Sequence, residues 1–360
     1  MRTYWHRRAH LVRQALPGFR GFLDRRSMFA LAQRDDVESR LVIRRDDAWE
    51  LQHGPFRPRE LAKLPEQGWT LLAQGVNLHD DRGAALLDRF GFLPHARLDD
   101  LMVSYAVPGG GVGPHFDSYD VFLLQGPGRR RWQIGSQTDL SLVEDLPIKI
   151  LKRFEPSREW IVESGDMLYL PPKYAHDGVA LDECLTYSIG FRAPARAEMA
   201  GQFLADLAER VELPGRYADP GAAPTRTPGR LPSRLIDAAS DAIRKVRWQR
   251  RDVEEFLGRY LSEPKPQVFF DPPASVPGPA AFARLLCRRI TRLHRKSSML
   301  YGSRTVFLNG EPYRFPRGIP AVLRELSDAR HARVGDVPRS LAELLREWYA
   351  SGFIVMGPPD

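Results

Sequence analysis

The chain has 360 residues, of which 43% are hydrophobic and 27% charged, and its formal net charge is +8. This composition is typical of a globular protein with two or three domains. It contains no apolar run of about 18 residues and no secretory signal, so we expect neither a membrane span nor export. Its two cysteines, Cys184 and Cys287, fit no zinc spacing and no disulfide framework. A reducing, cytoplasmic location is therefore expected.

The N-terminal segment is basic. Its first 23 residues contain no acidic side chain but include several arginines: Arg2, Arg7, Arg8, Arg13 and Arg20. This composition resembles a transit peptide, yet a basic segment exposed on the surface is the simpler interpretation, and we favour it. The positive charge permits contact with nucleic acid or acidic surfaces without establishing it.

Strand-like patterns dominate the first half of the chain. Residues 1–100 alternate short helical and strand-like runs, with strands predicted at 41–43 and 69–73. Residues 101–192 are richer in strand patterns separated by turns. The strands predicted there are 100–107, 121–125, 130–134, 166–170 and 185–191. Short strands at this spacing predict a barrel or sandwich.

Helical patterns follow Arg196. Residues 197–211 and 233–261 have an apolar stripe at helical spacing, and the Pro/Gly-rich connector 214–232 separates them. A second break is predicted at 264–279.

The last part of the chain combines helices with a hairpin. A basic helix at 280–295 precedes a strand at 303–308, and Asn309-Gly310 is a strong hairpin turn signal. A helix at 341–351 and a short strand at 353–356 complete the pattern. Helices with a small hairpin predict a winged helix.

Three residues are candidate metal ligands. In Gly113-Pro114-His115-Phe116-Asp117 we expect a strand, on which residues two apart share a face. His115 and Asp117 alone would more often be a surface or hydrogen-bonded pair. His176, however, follows a Gly-Asp turn, an apolar strand and Pro171-Pro172, at the mouth of a predicted strand. Two histidines and one carboxylate leave three open positions, as in non-haem Fe(II) oxygenases, whereas structural zinc sites are usually closed and cysteine-rich.

The run 125–132 contains a candidate cosubstrate ligand. A Gly-Pro-Gly turn leads into a strand on which Arg130 and Trp132 share one face, while Arg129 and Arg131 share the other. A solvated basic strand is the alternative, but Trp132 is expected inside and takes Arg130 with it. A buried guanidinium needs an anionic partner, and the distal carboxylate of 2-oxoglutarate is one.

Other polar residues are weaker candidates. Ser104, Tyr187 and Ser188 lie on predicted barrel strands and are candidates to hydrogen-bond the cosubstrate, with ordinary barrel packing an equal alternative. The glycine run 109–113 lacks the Gly-Lys-Ser/Thr ending of a phosphate loop and leads into a strand. We expect it to form a flexible edge of the active-site mouth.

These motifs together resemble a known family. The stretch 99–135, with Ser104–His115 and Tyr119–Phe122, is similar to the bacterial ribosomal oxygenases, as are 38–42, 53–56 and 187–194. These are JmjC/cupin-type enzymes that hydroxylate an arginine of ribosomal protein uL16 (L16). The resemblance is close over most of residues 1–220 and looser beyond them, and it implies some further residues before Trp5.

The resemblance implies an α+β fold with three regions. These are a double-stranded β-helix (JmjC/cupin) catalytic domain at 1–200, a helical dimerisation region at 201–270 and a winged-helix domain at 271–360. It also implies a homodimer.

The resemblance further implies Fe(II) as cofactor, 2-oxoglutarate and O₂ as cosubstrates, and hydroxylation at C3 of an arginine of uL16. His115, Asp117 and His176 then hold the metal, Arg130 binds 2-oxoglutarate, and Ser104 lies close to it. Two alternatives stay open. One is the same chemistry on a histidine of another ribosomal protein. The other is a nucleic-acid-binding regulator that uses the basic residues Arg284, Arg288, Arg289, Arg292, Arg295 and Lys296, for which a solvated helix face is the simpler interpretation.

Overall fold

The computed structural model describes residues 2–45 and 48–357. Its first 193 residues contain most of the strands. In chain order the elements there are β1 (His10–Val12), α1 (Arg25–Ala32), β2 (Ser39–Arg45), β3 (Ala48–His53), α2 (Pro58–Leu61), β4 (Trp69–Ala73), α3 (Asp81–Asp88), β5 (Leu98–Ala106), β6 (Asp120–Gln125), β7 (Arg130–Gly135), β8 (Arg158–Val162), β9 (Met167–Leu170), β10 (Ala175–Ala180) and β11 (Cys184–Phe191).

The remaining residues are mainly helical. They form α4 (Arg196–Arg210), α5 (Ser233–Lys245), α6 (Arg250–Ser262), α7 (Pro279–Arg288), β12 (Thr291–Leu293), β13 (Met299–Tyr301), β14 (Thr305–Leu308), β15 (Glu311–Arg314), α8 (Ala321–Ala329), β16 (His331–Ala332), α9 (Arg339–Ala350) and β17 (Ile354–Met356).

Two antiparallel sheets form the predicted double-stranded β-helix barrel. The larger has the strand order β1-β9-β6-β11-β5-β4-β2-β3, and the smaller has the order β10-β7-β8. All eight residues of β11 are buried, because this strand pairs with both β5 and β6. Side chains from both sheets line one cavity. The barrel predicted from the strand spacing is therefore confirmed.

The register of the larger sheet arranges its inward side chains in rows. Directly paired residues of antiparallel strands point to the same face. Thr70 pairs with Ala106, which pairs with Cys184, and Leu72 pairs with Ser104, which pairs with Thr186. Residues from strands far apart in sequence thus meet at one depth of the barrel.

The predicted helix at 233–261 is wrong as a single element. The structure has α5 and α6 instead, because Val246 takes an extended conformation with ψ of 122°. The predicted helix at 280–295 is also too long. It ends at Arg288, and β12 follows, since Thr291 pairs with strands β16 and β17. The Asn309-Gly310 hairpin is confirmed: both residues have positive φ, 53° and 88°, and they join β14 to β15.

The contacts within the chain divide it into two compact units. The first comprises residues 1–193, 264–299 and 320–360. Beside the barrel it contains the small sheet β16-β12-β17 and the helices α7, α8 and α9. Phe282, Leu345 and Trp348 are buried there.

The second unit comprises residues 194–263 and 300–319. Phe203 and Leu207 of α4 pack against Phe256 of α6, and the β14–β15 hairpin packs against α6. The sequence analysis predicted three consecutive regions, 1–200, 201–270 and 271–360. These domain boundaries stay a prediction. No helix among the described residues is long and apolar enough to cross a membrane.

Candidate metal and cosubstrate site

The loop with His115 and Asp117 is attached to β10 by backbone hydrogen bonds. The expected strand at 113–117 is wrong, because these residues lie in the connection between β5 and β6. The amide of His115 donates to the carbonyl of His176 at 2.9 Å, and the amide of His176 donates back at 2.8 Å. The amide of Lys173 also donates to the carbonyl of Asp117 at 2.7 Å. An isolated two-way bridge, rather than a strand face, therefore brings the two histidines together.

The three candidate ligands converge on one point. One ligand atom from each of His115, Asp117 and His176 lies within 4.8 Å of the others. The Nδ1 atoms of the two histidines lie 2.8 Å from the carbonyl of Gly113 and 2.9 Å from that of Tyr174. A carbonyl oxygen only accepts, so each Nδ1 donates a proton to it, and Nε2 is the ring nitrogen available to a metal. This arrangement is the usual orientation of metal-binding histidines.

Burial keeps His176 neutral. Its side chain is 3% exposed, and burial together with the nearby His115 lowers the pKa of His176 to about 4, although Asp117 opposes this shift. Metal binding requires a neutral imidazole. The donor set of two imidazoles and one carboxylate therefore fits a divalent metal with open coordination positions.

The triad borders a cavity of about 290 Å³ inside the barrel. Among its lining residues are Arg40, Thr70, Leu72, Gln74, Asp99, Asp100, Met102, Ser104, Tyr119, Arg130, Trp132, Thr186, Ser188 and Gly190. The cavity receives side chains from both sheets, which makes it the natural place for a small cosubstrate beside the metal.

Arg130 is a buried cation in the cavity wall. Arg130 and Trp132 are 4% and 5% exposed, so the inward orientation predicted from alternation is confirmed. The Arg130 Nη2 lies 3.6 Å from the Cys184 sulfur, and its guanidinium carbon lies 5.7 Å from the Trp132 ring. Its Nε has no hydrogen-bond partner, and no acidic side chain of residues 2–45 and 48–357 forms an ion pair with it. An anion is thus needed here to offset the cost of burying the guanidinium.

The predicted hydroxyl ligands separate into two groups. Ser104 and Ser188 line the cavity. Tyr187 does not, because it faces the opposite side of β11, where its hydroxyl accepts hydrogen bonds from the amides of Phe22 and Leu23 at 2.9 and 3.0 Å. The prediction that Tyr187 hydrogen-bonds the cosubstrate is therefore wrong. Ser188 faces the cavity, and adjacent residues of a strand point to opposite faces.

Sequence reasoning missed two threonines in the cavity wall. Thr186 shares the inward face of Ser188, and its hydroxyl donates to Gln125 at 3.1 Å. The Thr70 hydroxyl is buried and has no partner. The two-residue alternation from Ser188 could have identified Thr186, whereas the placement of Thr70 depends on the pairing of β4 with β5.

The glycine run at 109–113 is fixed to neighbouring strands rather than free at the mouth. The amide of Gly109 donates to the carbonyl of Ala180, and the amide of Ala180 donates to the carbonyl of Gly110, both at 2.9 Å. A Cβ on Gly111 would lie 2.7 Å from the carbonyl oxygen of Gly178. Close backbone approach therefore explains Gly111, and positive φ values of 73° and 76° explain Gly109 and Gly113. The expected flexible edge is instead hydrogen-bonded to β10.

A buried carboxylate also lines the cavity, and sequence reasoning missed it as well. Asp100 is 4% exposed. Its Oδ2 accepts hydrogen bonds from Gln74 Nε2 at 2.7 Å and from the amide of Gly75 at 3.1 Å. Its Oδ1 is the atom nearest to a Cβ built on Gly190, at 3.8 Å, and Gly190 lines the cavity. One oxygen of Asp100 is thus held by the protein, and the other is beside the cavity.

A substitution of Gly178 would test how tightly the cavity wall is packed. A Cβ at this position would lie 2.5 Å from the buried ring of Trp132. Gly178→Ala should therefore lower the free energy of unfolding by about 1–3 kcal/mol and weaken 2-oxoglutarate binding, as measured by denaturant unfolding and calorimetry. Gly201→Ala is the matched control, because a Cβ on Gly201 meets nothing within 4 Å, and helix propensity there favours alanine by about 0.5–1 kcal/mol. Equal stability of both variants would contradict this prediction.

Known proteins share both the sequence and the fold. The JmjC domain family matches residues 85–199, and the ROXA-like winged helix matches residues 245–354. The ribosomal protein uL16 3-hydroxylase of Escherichia coli is 37% identical over 280 residues, which cover 76% of this chain and 73% of that protein. A probable ribosomal oxygenase of Haemophilus influenzae is 41% identical over 199 residues, 54% of this chain and 49% of that protein.

A solved structure of the same kind includes ligands. It is YcfD, a ribosomal oxygenase from Escherichia coli in complex with cobalt and 2-oxoglutarate, with a TM-score of 0.84 at 30% identity over 99% of this chain and 97% of that one. The metal and 2-oxoglutarate of that complex agree with the donor set and the unpaired Arg130 found here. The chain belongs to the JmjC-type ribosomal oxygenases and is a metal- and 2-oxoglutarate-dependent oxygenase.

Proposed function

We propose that this protein hydroxylates C3 of an arginine side chain in ribosomal protein uL16, with Fe(II) as the metal and 2-oxoglutarate and O₂ as cosubstrates. The activity named for the Escherichia coli relative supports the substrate. The observation that carries the proposal is the buried carboxylate of Asp100 in the cavity wall. The free oxygen of that carboxylate can accept charge-assisted hydrogen bonds from a guanidinium.

Each part of the cavity has a separate task. Fe(II) together with 2-oxoglutarate would activate O₂, one atom of which is inserted into a C–H bond while the other enters succinate. His115, Asp117 and His176 hold the metal. Arg130 binds the distal carboxylate of 2-oxoglutarate, assisted by the hydroxyl of Ser104. Asp100 binds the substrate guanidinium and so fixes which carbon of the side chain faces the metal.

The decisive experiment is mass spectrometry of uL16 after incubation with the protein, Fe(II) and 2-oxoglutarate. We expect one added oxygen atom on an arginine, dependent on both additions. A peptide with lysine in place of that arginine should be a poor substrate, because lysine lacks the planar guanidinium group with its several N–H donors. Asp100→Asn should lose turnover while it still binds 2-oxoglutarate. Lack of turnover with any uL16 fragment would refute the substrate, and oxygen on a histidine of another ribosomal protein would favour the alternative.

The basic segment gives no support to a nucleic-acid-binding role. Arg295 pairs with Asp81 at 3.0 Å, and the side chains of Lys296 and Arg289 donate to backbone carbonyls. These contacts leave a smaller exposed group, namely Arg284, Arg288 and Arg292. We therefore propose no regulator function.

We also propose that the protein is a homodimer that functions in the cytoplasm, where uL16 is made. Helix α5 supports the dimer, because none of its residues is buried. Its apolar side chains share one face, and Leu235, Ile236 and Ile243 are 36%, 47% and 72% exposed. An amphipathic helix normally buries such a face, and a second copy of α5 offers a self-complementary partner.

Ile243→Arg should convert the dimer into a monomer in light scattering coupled to size-exclusion chromatography. An unpaired charge buried in an apolar interface costs about several kcal/mol, because it loses its hydration. Asp241→Arg places the same side chain on the opposite face of α5 and should leave the dimer intact. A monomeric wild-type protein, or equal behaviour of the two variants, would refute this interface.

A further inference from the structure

Asp100 belongs to a pair of adjacent acidic residues in the cavity wall. Asp99 and Asp100 are consecutive in β5, and both line the cavity. A lysine from a distant part of the chain reaches them. The Nζ of Lys265 lies 3.4 Å from Asp99 Oδ1 and 3.7 Å from Asp100 Oδ2. Lys265 follows α6 in sequence and belongs to the same compact unit as the barrel.

We propose that Lys265 is a positioning residue for the reaction: it holds the Asp100 carboxylate ionised and oriented so that its free oxygen receives the substrate guanidinium. The inference rests on the arginine hydroxylation proposed above. Lys265 does not line the cavity of the metal site, whereas Asp100 does. Its effect on the substrate is therefore exerted through Asp100.

The geometry separates the two oxygens of Asp100. Gln74, the amide of Gly75 and Lys265 all approach Oδ2. No hydrogen bond of the described residues involves Oδ1, which lies beside Gly190 of the cavity wall. Three partners on one oxygen fix the plane of the carboxylate, so that the other oxygen has a defined direction for a planar ligand.

The charges around Asp100 explain why a lysine is needed. Burial raises the pKa of Asp100, Lys265 lowers it, and the neighbouring Asp99 raises it further. The other groups that face this carboxylate are Tyr119, which also lines the cavity, and Arg40, which donates to Gln74 Oε1 at 3.3 Å. Lys265 is the cation nearest to Asp100 among the described ion pairs. Without it, two neighbouring carboxylates would have to stay ionised while one is buried.

The ionisation of Asp100 should make the KM for the arginine substrate depend on pH. Only ionised Asp100 pairs with a guanidinium, so the KM for the arginine substrate rises as the pH falls through the pKa of Asp100. Loss of Lys265 raises that pKa, which moves the increase in KM to higher pH. Arg192 lies 3.3 Å from Asp99 and partly compensates for that residue alone. If Lys265 only stabilised the fold, its loss would lower the stability of the protein without changing the pH dependence of this KM.

The experiment compares three variants of the full-length protein with the wild type. Lys265→Met removes the charge and Lys265→Arg retains it. Lys296→Met is the control: Lys296 lines a second cavity together with Lys265, but its Nζ donates to the carbonyl of Phe269. For Lys265→Met we expect the KM for the uL16 peptide to rise about three- to tenfold below neutral pH and to recover as the pH rises. The kcat and the KM for 2-oxoglutarate should stay unchanged. Lys265→Arg should restore the wild-type profile, and Lys296→Met should match the wild type.

A KM ratio that is the same at every pH, or an effect on thermal stability alone, would overturn the role of Lys265. A second measurement is independent of the substrate. Carboxyl ¹³C NMR of aspartate-labelled protein, assigned with Asp100→Asn, should show a higher pKa for Asp100 in Lys265→Met than in the wild type, and an unchanged pKa would refute the proposal. If the wild type hydroxylates no arginine, the arginine function fails, while the NMR titration still decides whether Lys265 controls the ionisation of Asp100.

Discussion

His176→Ala is expected to abolish both metal binding and succinate formation. His176 is one of three ligand side chains, and its Nε2 lies 3.8 Å from Asp117 Oδ2. Loss of a residue that merely supports a ligand costs roughly 10–100-fold in metal affinity, and loss of a ligand itself should cost more. Co(II) binding followed by calorimetry and absorption spectroscopy measures the first effect, and succinate release from 2-oxoglutarate measures the second.

A control for this variant is available in the same unit. His53→Ala changes an exposed histidine at the end of β3 and should leave metal binding and activity intact. The neutral state of His176 predicts little electrostatic change on its removal, so the variant should fold normally. Tight Co(II) binding or wild-type succinate release by His176→Ala would disprove the metal site.

Arg130→Met is expected to abolish 2-oxoglutarate binding without destabilising the protein. Removal of one partner of a buried charge pair costs about 2–5 kcal/mol, which is at least about a 30-fold loss of affinity. In the absence of ligand, however, Arg130 is buried with an unpartnered Nε. A methionine of similar length should therefore leave the ligand-free stability equal or higher.

Thermal unfolding with and without 2-oxoglutarate measures both effects. The ligand should raise the Tm of the metal-loaded wild type, because it binds only the folded state, and it should leave the Tm of Arg130→Met unchanged. Arg131→Met is the matched control, since Arg131 follows Arg130 on β7 and points to the opposite face. A ligand-induced Tm shift in Arg130→Met equal to that of the wild type would show that another residue binds the distal carboxylate.

Patterns over a few neighbouring residues were enough to predict some parts of the site. Trp132 predicted the inward face of Arg130, because alternation along a strand is a local property. The two prolines before His176 indicated a turn at the end of a strand, and the structure has that turn between β9 and β10. The strand expected at His115 was wrong, although the convergence of His115 with Asp117 was still found, since a reciprocal backbone bridge replaced the strand.

The sequence by itself determined which side chains have the chemistry: two imidazoles, one carboxylate and a buried guanidinium, together with a strand-rich barrel and a helical C-terminal part. Only the tertiary structure decided which of the remaining polar residues share the cavity. Thr70 and Asp100 reach it through strand pairing, Tyr187 is excluded by facing the other side of its strand, and Lys265 approaches Asp100 from beyond α6. The reason is that strand alternation and turns act over a few residues, whereas pairing register and the burial of charges are set by contacts between segments distant in sequence.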